Sequence, residues 1–384
     1  MTCICLTREG IGPGVPRDYA LWTAAEFQRE CPEHGASRQQ IDAPFPWFGG
    51  KRRVADVVWE RFGDVPNYVE PFFGSGAVLL NRPASHRQTK ETVNDKDGYV
   101  ANFWRAVQQD SEQTAFYADN PVNENDLHAR HAWLVGQRET LTARLEGDPN
   151  FYDAKIAGWW VWGICCWIGS GFCSGAGPWV VDPDNRQLVH LGDNGRGVNR
   201  QLVHLGNNGR GTAGGEPEAR AEGVSRKRPR LSGWSDTGVN VRADLVAWFV
   251  ALADRLRYVR VCSGDWSRVC GPSPTFKHGM TGVFLDPPYD QDIRADLYRV
   301  EEPVSAAVRA WAIENGKNSL MRIALCGYEG EHVMPDDWEV YKWKSAGGFG
   351  SQGDEESRGK VNRELERIWF SPACLKPSQQ GVLL

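Results

Sequence analysis

Short apolar runs alternate with stretches of helical periodicity in two separated parts of the chain. In the first part, residues 68–70 and the run around Thr92 and Val93 are predicted strands, and helical stretches follow from Ala77 and over residues 99–107. In the second part, a predicted helix over residues 245–256 precedes predicted strands at 259–262, 282–285, 322–326 and 368–371. Strands that alternate with helices form parallel sheets. We therefore expect an α/β fold with a Rossmann-like, mostly parallel sheet.

The segment between these two parts interrupts the alternation. Residues 105–243 hold a polar helical stretch, five tryptophans between Trp159 and Trp179, and a tandem duplication in which residues 185–197 recur as 199–211 with one Asp-to-Asn change. The Gly-Asn content of the duplication is typical of a loop. The tryptophans are expected to lie mainly in the core, with stacking on extruded bases as the alternative. The chain thus divides into an extension (1–44), two α/β halves (45–104 and 244–384) and an insert (105–243).

The composition is that of an ordinary soluble globular protein, with 41% hydrophobic and 24% charged residues. The longest apolar stretch, residues 156–168, is shorter than the roughly 20 residues that a membrane-spanning helix needs, and the N-terminus has no basic-then-apolar leader. We therefore expect a cytoplasmic protein, without membrane contact, whose ten cysteines are reduced. Cys3, Cys5, Cys31 and His34 match no common zinc spacing, so no metal is expected.

A formal net charge of -5 excludes a uniformly basic surface for nucleic acid, so any contact with DNA must be local. Between residues 186 and 230, nine Arg and Lys stand against four acidic residues, and the segment ends in Arg226, Lys227, Arg228, Pro229 and Arg230. This basic run is a solvated loop, a localisation-like patch or a contact with phosphates.

A glycine turn follows the first predicted strand. Glu70, Pro71, Phe72 and Phe73 lead into Gly74, Ser75 and Gly76, and glycines at such a turn let backbone amides approach a ligand closely. Asp95, at the end of the next predicted strand, stands where an acidic side chain accepts hydrogen bonds from ribose hydroxyls. These two features are shared by dinucleotide enzymes and adenosyl-cofactor enzymes, and a Gly-Ser-Gly turn is also an ordinary loop.

The sequence Asp286, Pro287, Pro288 and Tyr289 follows the predicted strand at 282–285. Two consecutive prolines fix the backbone and leave carbonyl oxygens free to accept hydrogen bonds. A carboxylate and a carbonyl that accept the two N–H bonds of adenine N6 concentrate electron density on that nitrogen, which prepares it for attack on a sulfonium methyl. Tyr289 is placed to stack on a flipped base. The alternative is a proline-stiffened loop.

Four motifs in this order resemble those of the Dam-type family of adenine-N6 DNA methyltransferases. They are Trp47-Phe48-Gly49-Gly50-Lys51, the turn from Glu70 to Gly76, Asn94-Asp95, and Asp286 to Tyr289. The resemblance covers residues 45–104 and 245–372, and it implies a class I methyltransferase sheet with an inserted target-recognition domain at 105–243. Sequence specificity is not carried over, because residues 1–44, the tryptophan cluster and the duplicated segment correspond to no part of the family that can be placed.

The resemblance implies roles for particular residues. S-adenosylmethionine would be bound by Trp47, Lys51, Glu70, Phe72, Gly74, Gly76, Asp95 and Asp286, and the catalytic residues would be Asp286, Pro287, Pro288 and Tyr289. Asp265 is a further cofactor candidate, with a turn-capping role as the alternative. Arg358 and Lys360 resemble a family loop near the DNA backbone, with plain surface charge as the alternative, and Arg226, Lys227, Arg228 and Arg230 are candidates for DNA contact. The expected substrate is duplex DNA, acted on by a monomer.

Other functions explain these residues less well. An oxidoreductase gives no reason for Asp286 to Tyr289, and cytosine-C5 methylation needs a Pro-Cys dipeptide that the chain lacks. Cytosine-N4 methylation uses the same amine chemistry, although Asp at position 286 favours adenine by the resemblance. RNA adenine methylation and a catalytically silent DNA-binding protein remain as alternatives.

Overall fold

The computed structural model describes residues 41–47, 50–86, 90–167, 172–173, 179–181, 188–190, 241–289, 304–343 and 366–377. Seven strands of this part form one sheet: β1 Asn67–Glu70, β2 Lys90–Asp95, β5 Val259–Ser263, β6 Thr281–Leu285, β7 Met321–Tyr328, β8 Glu339–Lys342 and β9 Glu366–Phe370. A separate antiparallel pair is formed by β3 Trp179–Val181 and β4 Leu188–His190. The helices are α1 Arg52–Phe62, α2 Ala77–Leu80, α3 Gly98–Gln109, α4 Ser111–Ala118, α5 Glu124–Gly147, α6 Ala154–Cys166, α7 Val241–Leu256 and α8 Ser305–Asn315.

The strand order in the sheet is β5-β2-β1-β6-β7-β9-β8. In the part of the sheet ordered β5-β2-β1-β6-β7, each strand is parallel to the next. Strand β9 pairs antiparallel with both β7 and β8. The predicted α/β class with a mostly parallel sheet is therefore confirmed, and the arrangement is that of a class I methyltransferase. Every predicted strand is present to within a few residues. Strand β8 escaped prediction because it is an edge strand whose residues are mostly exposed and carry no apolar alternation.

The sheet is covered on both faces, because its strands bury successive side chains in two different layers. Tyr68, Phe284 and Ile368 join the larger hydrophobic cluster, whereas their strand neighbours Val69, Val283 and Trp369 join the smaller one. Side chains along a strand point alternately to opposite faces, so apolar residues at every position require cover on both sides. The larger layer contains residues of α1, α3, α6 and α7, and the smaller layer contains residues of α8.

Helices α4 and α6, which lie between β2 and β5 in the chain, pack against α3 and α7, two of the helices in the larger core. Helix α6 contacts α3 and α4, and α4 contacts α7, so these elements share the larger core. Trp160, Trp162 and Trp167 of the tryptophan cluster are buried there, as the core interpretation predicted. The Trp159 ring lies 5.0 Å from that of Trp133, with the Lys155 ammonium 4.4 Å from its centroid.

The side of the sheet on which the chain adds its next strand changes between β1 and β6. From β1 the chain adds β2 and then β5 on one side, and it returns to place β6 on the other side of β1. In open α/β sheets, ligands bind at such a switch point, outside the carboxyl ends of the strands. This places Glu70, at the end of β1, beside Asp286, which follows the end of β6.

Several sequence predictions concern residues outside the described ranges. These are the extension with Cys3, Cys5, Cys31 and His34, the duplicated segment apart from β4, and all six residues predicted to contact DNA. The seven cysteines in the described part of the chain are free thiols. Within the described ranges, none of the helices combines the length and apolar character that crossing a bilayer requires.

Candidate active site

A pocket opens at the switch point between β1 and β6. It is lined by residues of both α/β halves, and the empty space within it and at its open mouth is about 910 Å³. The predicted site residues that line it are Trp47, Lys51, Glu70, Phe72, Gly74, Asp95, Asp265, Asp286 and Pro288. The structure therefore brings together residues that are separated by more than two hundred positions in the sequence.

The glycine turn after β1 forms one wall of this pocket. Gly74 has φ +46°, and a Cβ built there would lie 2.4 Å from the indole Nε1 of Trp47. Trp104 Nε1 donates a hydrogen bond of 2.8 Å to the Gly74 carbonyl. Gly76 has φ +67° and precedes α2, where a Cβ would lie 2.7 Å from the Phe73 ring. The turn therefore requires glycine at both positions, and the first of them permits Trp47 to lie directly on the backbone.

The carboxylate of Asp95 holds the glycine turn against β2. The Gly74 amide donates to Asp95 Oδ2 at 2.9 Å, and the Asp97 amide donates to Oδ1 at 2.8 Å. The neighbouring Asn94 side chain is buried and donates to the carbonyls of Pro71 and Gly264 at 3.1 and 3.0 Å. In the described part of the chain, Asn94 Oδ1 accepts no hydrogen bond. The pocket wall thus contains a buried acceptor that is left for a ligand or a water molecule.

Aromatic rings next to the glycine turn also line the pocket. The Phe72 and Trp266 rings are stacked, with centroids 6.3 Å apart and an interplanar angle of 27°. Asp265 precedes this tryptophan and caps a short 3₁₀ helix, because its Oδ1 accepts a hydrogen bond of 3.0 Å from the Ser267 amide. The hydrogen bond from the Ser267 side chain lowers the pKa of the Asp265 carboxyl. Asp265 therefore has the capping contact weighed as the alternative, and it also lines the pocket.

Asp286 is paired with Lys51 across the pocket floor. Lys51 immediately precedes α1, and its Nζ lies 3.0 Å from Asp286 Oδ2. Lys51 is 3% exposed, whereas 21% of the Asp286 side chain remains accessible. The ammonium group is thus fully removed from solvent, while the carboxylate is still open to the pocket. Phe48 and Gly49, which precede Lys51 in the predicted motif, lie outside the described residues.

Tyr289 connects Asp286 to a second buried acid. Its hydroxyl lies 3.1 Å from Asp286 Oδ1 and 2.9 Å from Glu366 Oε2, and Glu366 Oε2 is also 3.8 Å from Lys51 Nζ. The ring of Tyr289 packs edge-on against that of Tyr328, with centroids 4.6 Å apart. Tyr289 is buried, as is Pro287. Lys51, Asp286, Tyr289 and Glu366 therefore form one contact network, which we call the Asp286 network.

Burial dominates the electrostatics of this region. It raises the pKa of the Asp286 carboxyl, and the adjacent Lys51 acts in the opposite direction. It also raises the pKa of Glu366, to which the charge on Asp286 adds. Glu70, which accepts a hydrogen bond of 2.8 Å from the Tyr68 hydroxyl, has a pKa well above its ordinary value because it is buried. Two of these carboxyls, those of Glu70 and Asp286, line the pocket floor beside Lys51.

Two of these residues were missed by the sequence prediction. Glu366 lies in a charged stretch where no motif distinguishes it from its neighbours, and the pairing of β9 with β7 brings it to Tyr289 and Lys51. Trp266 follows Asp265, and the short helix that Asp265 caps turns its ring onto Phe72. Arg226, Lys227, Arg228, Arg230, Arg358 and Lys360 lie outside the described residues.

Comparison with known proteins finds similarity in the segment that carries the first half of this pocket's residues. Residues 47–134 match the family model of the D12 class N6 adenine-specific DNA methyltransferases. The DNA N-6-adenine-methyltransferase of Escherichia phage P1 is 25% identical over 135 residues, which are 34% of this chain and 15% of that protein. The match to the family includes Lys51, the glycine turn and Asp95. It ends before Asp286, which joins them through the fold.

Proposed function

We propose that this chain, whose residues 47–134 match the family model of the D12 class N6 adenine-specific DNA methyltransferases, transfers a methyl group to the N6 amino group of adenine in duplex DNA. The observation that carries the proposal is the position of Asp286. Its carboxylate is held by Lys51 and Tyr289 and opens into the pocket at the switch point of the sheet. A buried carboxylate in that position is a hydrogen-bond acceptor for an amine that enters the pocket.

The pocket fits S-adenosylmethionine, the methyl donor that the family implies. Its aromatic side, with Trp47, Phe72 and Trp266, suits an adenine ring, and Asp95 and the unpartnered Asn94 Oδ1 supply acceptors. The acidic floor favours the positive charges of the ammonium and sulfonium groups. We propose that Trp47, Phe72, Gly74, Asp95 and Asp265 contact this cofactor, with Glu70 and Lys51 at its acidic end. S-adenosylmethionine, when bound, supplies an electrophilic methyl group.

The Asp286 network prepares the target amine. Asp286 accepts one N–H bond of adenine N6, and a carbonyl of the Pro287-Pro288 turn is available for the other. Both contacts concentrate electron density on the nitrogen and direct its lone pair toward the cofactor pocket. Lys51 and Tyr289 keep the carboxylate in this orientation. Stacking of Tyr289 on the base stays a prediction.

Base flipping and the DNA contacts are part of the same proposal. An amine that must reach a pocket at the sheet edge is not accessible within a stacked duplex, so the adenine has to leave the helix. We expect Arg226, Lys227, Arg228, Arg230, Arg358 and Lys360 to contact phosphates. Neutralising the first four should weaken binding to all DNA sequences and flatten its salt dependence, since each lost phosphate contact removes about 0.9 from the log–log slope.

The test is transfer of labelled methyl from S-adenosylmethionine to DNA, followed by digestion to nucleosides. We expect the label in N6-methyldeoxyadenosine. The Asp286→Asn variant should have a kcat lower by about a hundredfold or more, while its affinity for S-adenosylmethionine, measured by calorimetry, should change much less. Asp254→Asn, a charge change on α7 outside the pocket, serves as the control. Label in N4-methylcytosine or only in RNA would contradict the proposed substrate, and an unaffected Asp286→Asn variant would contradict the proposed mechanism.

A further inference from the structure

Glu366 contacts both residues that hold Asp286. Its Oε2 lies 2.9 Å from the Tyr289 hydroxyl and 3.8 Å from Lys51 Nζ, and the same two groups lie 3.1 and 3.0 Å from the carboxylate oxygens of Asp286. We propose that Glu366 is a positioning residue for the methyl transfer, which acts through Tyr289 and Lys51 to orient the Asp286 carboxylate toward the target amine. The inference rests on the proposed function.

The sheet places Glu366 in this position rigidly. Glu366 is the first residue of β9 and pairs with Tyr328 of β7, and the Tyr328 ring packs against Tyr289. The backbone that carries Glu366 and the ring that supports its partner therefore belong to the same strand pair. A side chain fixed by strand pairing and packing orients its partner better than one carried by a loop.

Stability alone does not account for a carboxyl group at this position. Glu366 is 3% exposed, and among the described residues the charged or titratable groups that interact with it include Lys51, Asp286, Tyr289, Glu331 and Cys326. A buried carboxylate is costly to desolvate, and here a single ammonium group is shared with Asp286, while Glu331 adds repulsion. Removing one partner of a buried ion pair is strongly destabilising when the other charge is left uncompensated. Lys51 keeps its ion pair with Asp286 when Glu366 is replaced, so the carboxyl of Glu366 acts on the geometry and charge of the site.

The effect of Glu366 on Asp286 follows from the two shared partners. With Glu366 present, Lys51 is attracted to two carboxylates, and the charge of Asp286 is only partly neutralised. Without it, Lys51 keeps its ion pair with Asp286 and is no longer attracted to the Glu366 carboxylate, and the Tyr289 hydroxyl loses its shorter contact. Asp286 then accepts the amine hydrogen less strongly and in a less defined orientation, so kcat falls more than cofactor affinity.

The experiment compares Glu366→Gln and Glu366→Ala with the wild-type chain. The matched control is Glu339→Gln on β8, which lies beside Phe370 at the other end of β9 and pairs with Arg61. For each protein, kcat for methyl transfer, S-adenosylmethionine affinity by calorimetry and the thermal unfolding midpoint are measured. We expect kcat to fall about tenfold in Glu366→Gln and toward a hundredfold in Glu366→Ala, with cofactor affinity within about threefold, and no change of kcat in Glu339→Gln.

A double-mutant cycle with Tyr289→Phe tests the route of the effect. If Glu366 acts through Tyr289, the double variant Glu366→Gln/Tyr289→Phe should lose much less activity than the product of the two single losses. If the loss of activity in the double variant equals the product of the two single losses, Glu366 does not act through Tyr289.

Each remaining outcome is also decisive. If the Glu366 variants keep the kcat of an active wild-type chain, the inference about Glu366 is overturned and the proposed function stands. Equal losses of kcat and of cofactor affinity in these variants would have the same meaning. Failure of both Glu366 variants to fold would overturn it in favour of a structural role. A folded wild-type chain that methylates no DNA would overturn the proposed function, and this inference with it.

Discussion

The substitution Gly74→Ala separates two effects that the glycine turn combines. An alanine at φ +46° is in the left-handed region, which costs an L-residue about 1–2 kcal/mol. Its Cβ would also lie 2.4 Å from Trp47 Nε1 and 2.8 Å from Trp47 Cδ1. Since non-bonded atoms pack at about 3.5–4.0 Å, the indole has to move by about 1 Å or more. The first effect destabilises the fold, and the second displaces a wall of the proposed cofactor pocket.

The matched control for this substitution is Gly279→Ala. Gly279 has φ +92°, but a Cβ there would meet only Pro66 Cγ, at 3.8 Å, which is an ordinary contact. Gly74→Ala should therefore lose about 1–2 kcal/mol of unfolding free energy. Gly279→Ala, at φ +92° and ψ −156°, should lose about 1–3 kcal/mol. Only Gly74→Ala should also bind S-adenosylmethionine about tenfold more weakly, which corresponds to about 1.4 kcal/mol.

Calorimetric titration with S-adenosylmethionine and thermal unfolding measure the two effects separately. In a Trp47→Ala background, Gly74→Ala should cause little further loss of affinity, because the ring that it displaces is absent. Equal cofactor affinity in Gly74→Ala and Gly279→Ala would refute the role that we give to Trp47 and the turn.

Two further predictions concern stability. His131 stacks on Trp167, and burial lowers the pKa of its imidazole to about 4. Between pH 6.5 and 4 the unfolded chain therefore binds more protons than the folded chain, so the free energy of unfolding falls as pH falls through that window. His131→Phe should remove about 2–3 kcal/mol of this loss at pH 4.5 relative to pH 7 in urea unfolding, and equal losses in both proteins would refute the assignment. Arg105 donates to the carbonyls of Val261, Leu145, Asp148 and Phe151, so Arg105→Met should cost about 2–4 kcal/mol. The exposed control Arg257→Met should stay within about 0.5 kcal/mol, and similar denaturation midpoints for both would contradict the prediction.

Much of the pocket was predictable because its residues stand at strand ends. Glu70, Asp95 and Asp286 each follow or end an apolar run that the sequence shows as a strand. The carboxyl ends of parallel strands meet at one edge of a sheet, so such residues converge whatever the sequence distance between them. Gly74 was predictable for a local reason, since a turn with positive φ favours glycine.

The partners within the site were not predictable in the same way. Lys51 was expected to contact the cofactor, and the structure shows its ammonium group on Asp286, in the pocket floor. Asp265 has a local hydrogen bond to Ser267 that the sequence could only suggest as an alternative. Such pairings depend on distances of a few ångströms between elements far apart in the chain, and strand periodicity carries no information about them.

The sequence by itself determined the α/β class, the order of the cofactor-type turn and the Asp286 motif, and the expectation of amine methylation. These follow from local patterns, in which apolar alternation and turn residues are read over short windows. Only the tertiary structure decided that β9 enters the sheet antiparallel between β7 and β8, and that Glu366 thereby reaches Tyr289 and Lys51. The physical reason is that strand order and register are set by long-range packing, where the burial of whole faces outweighs the local preference of any one segment.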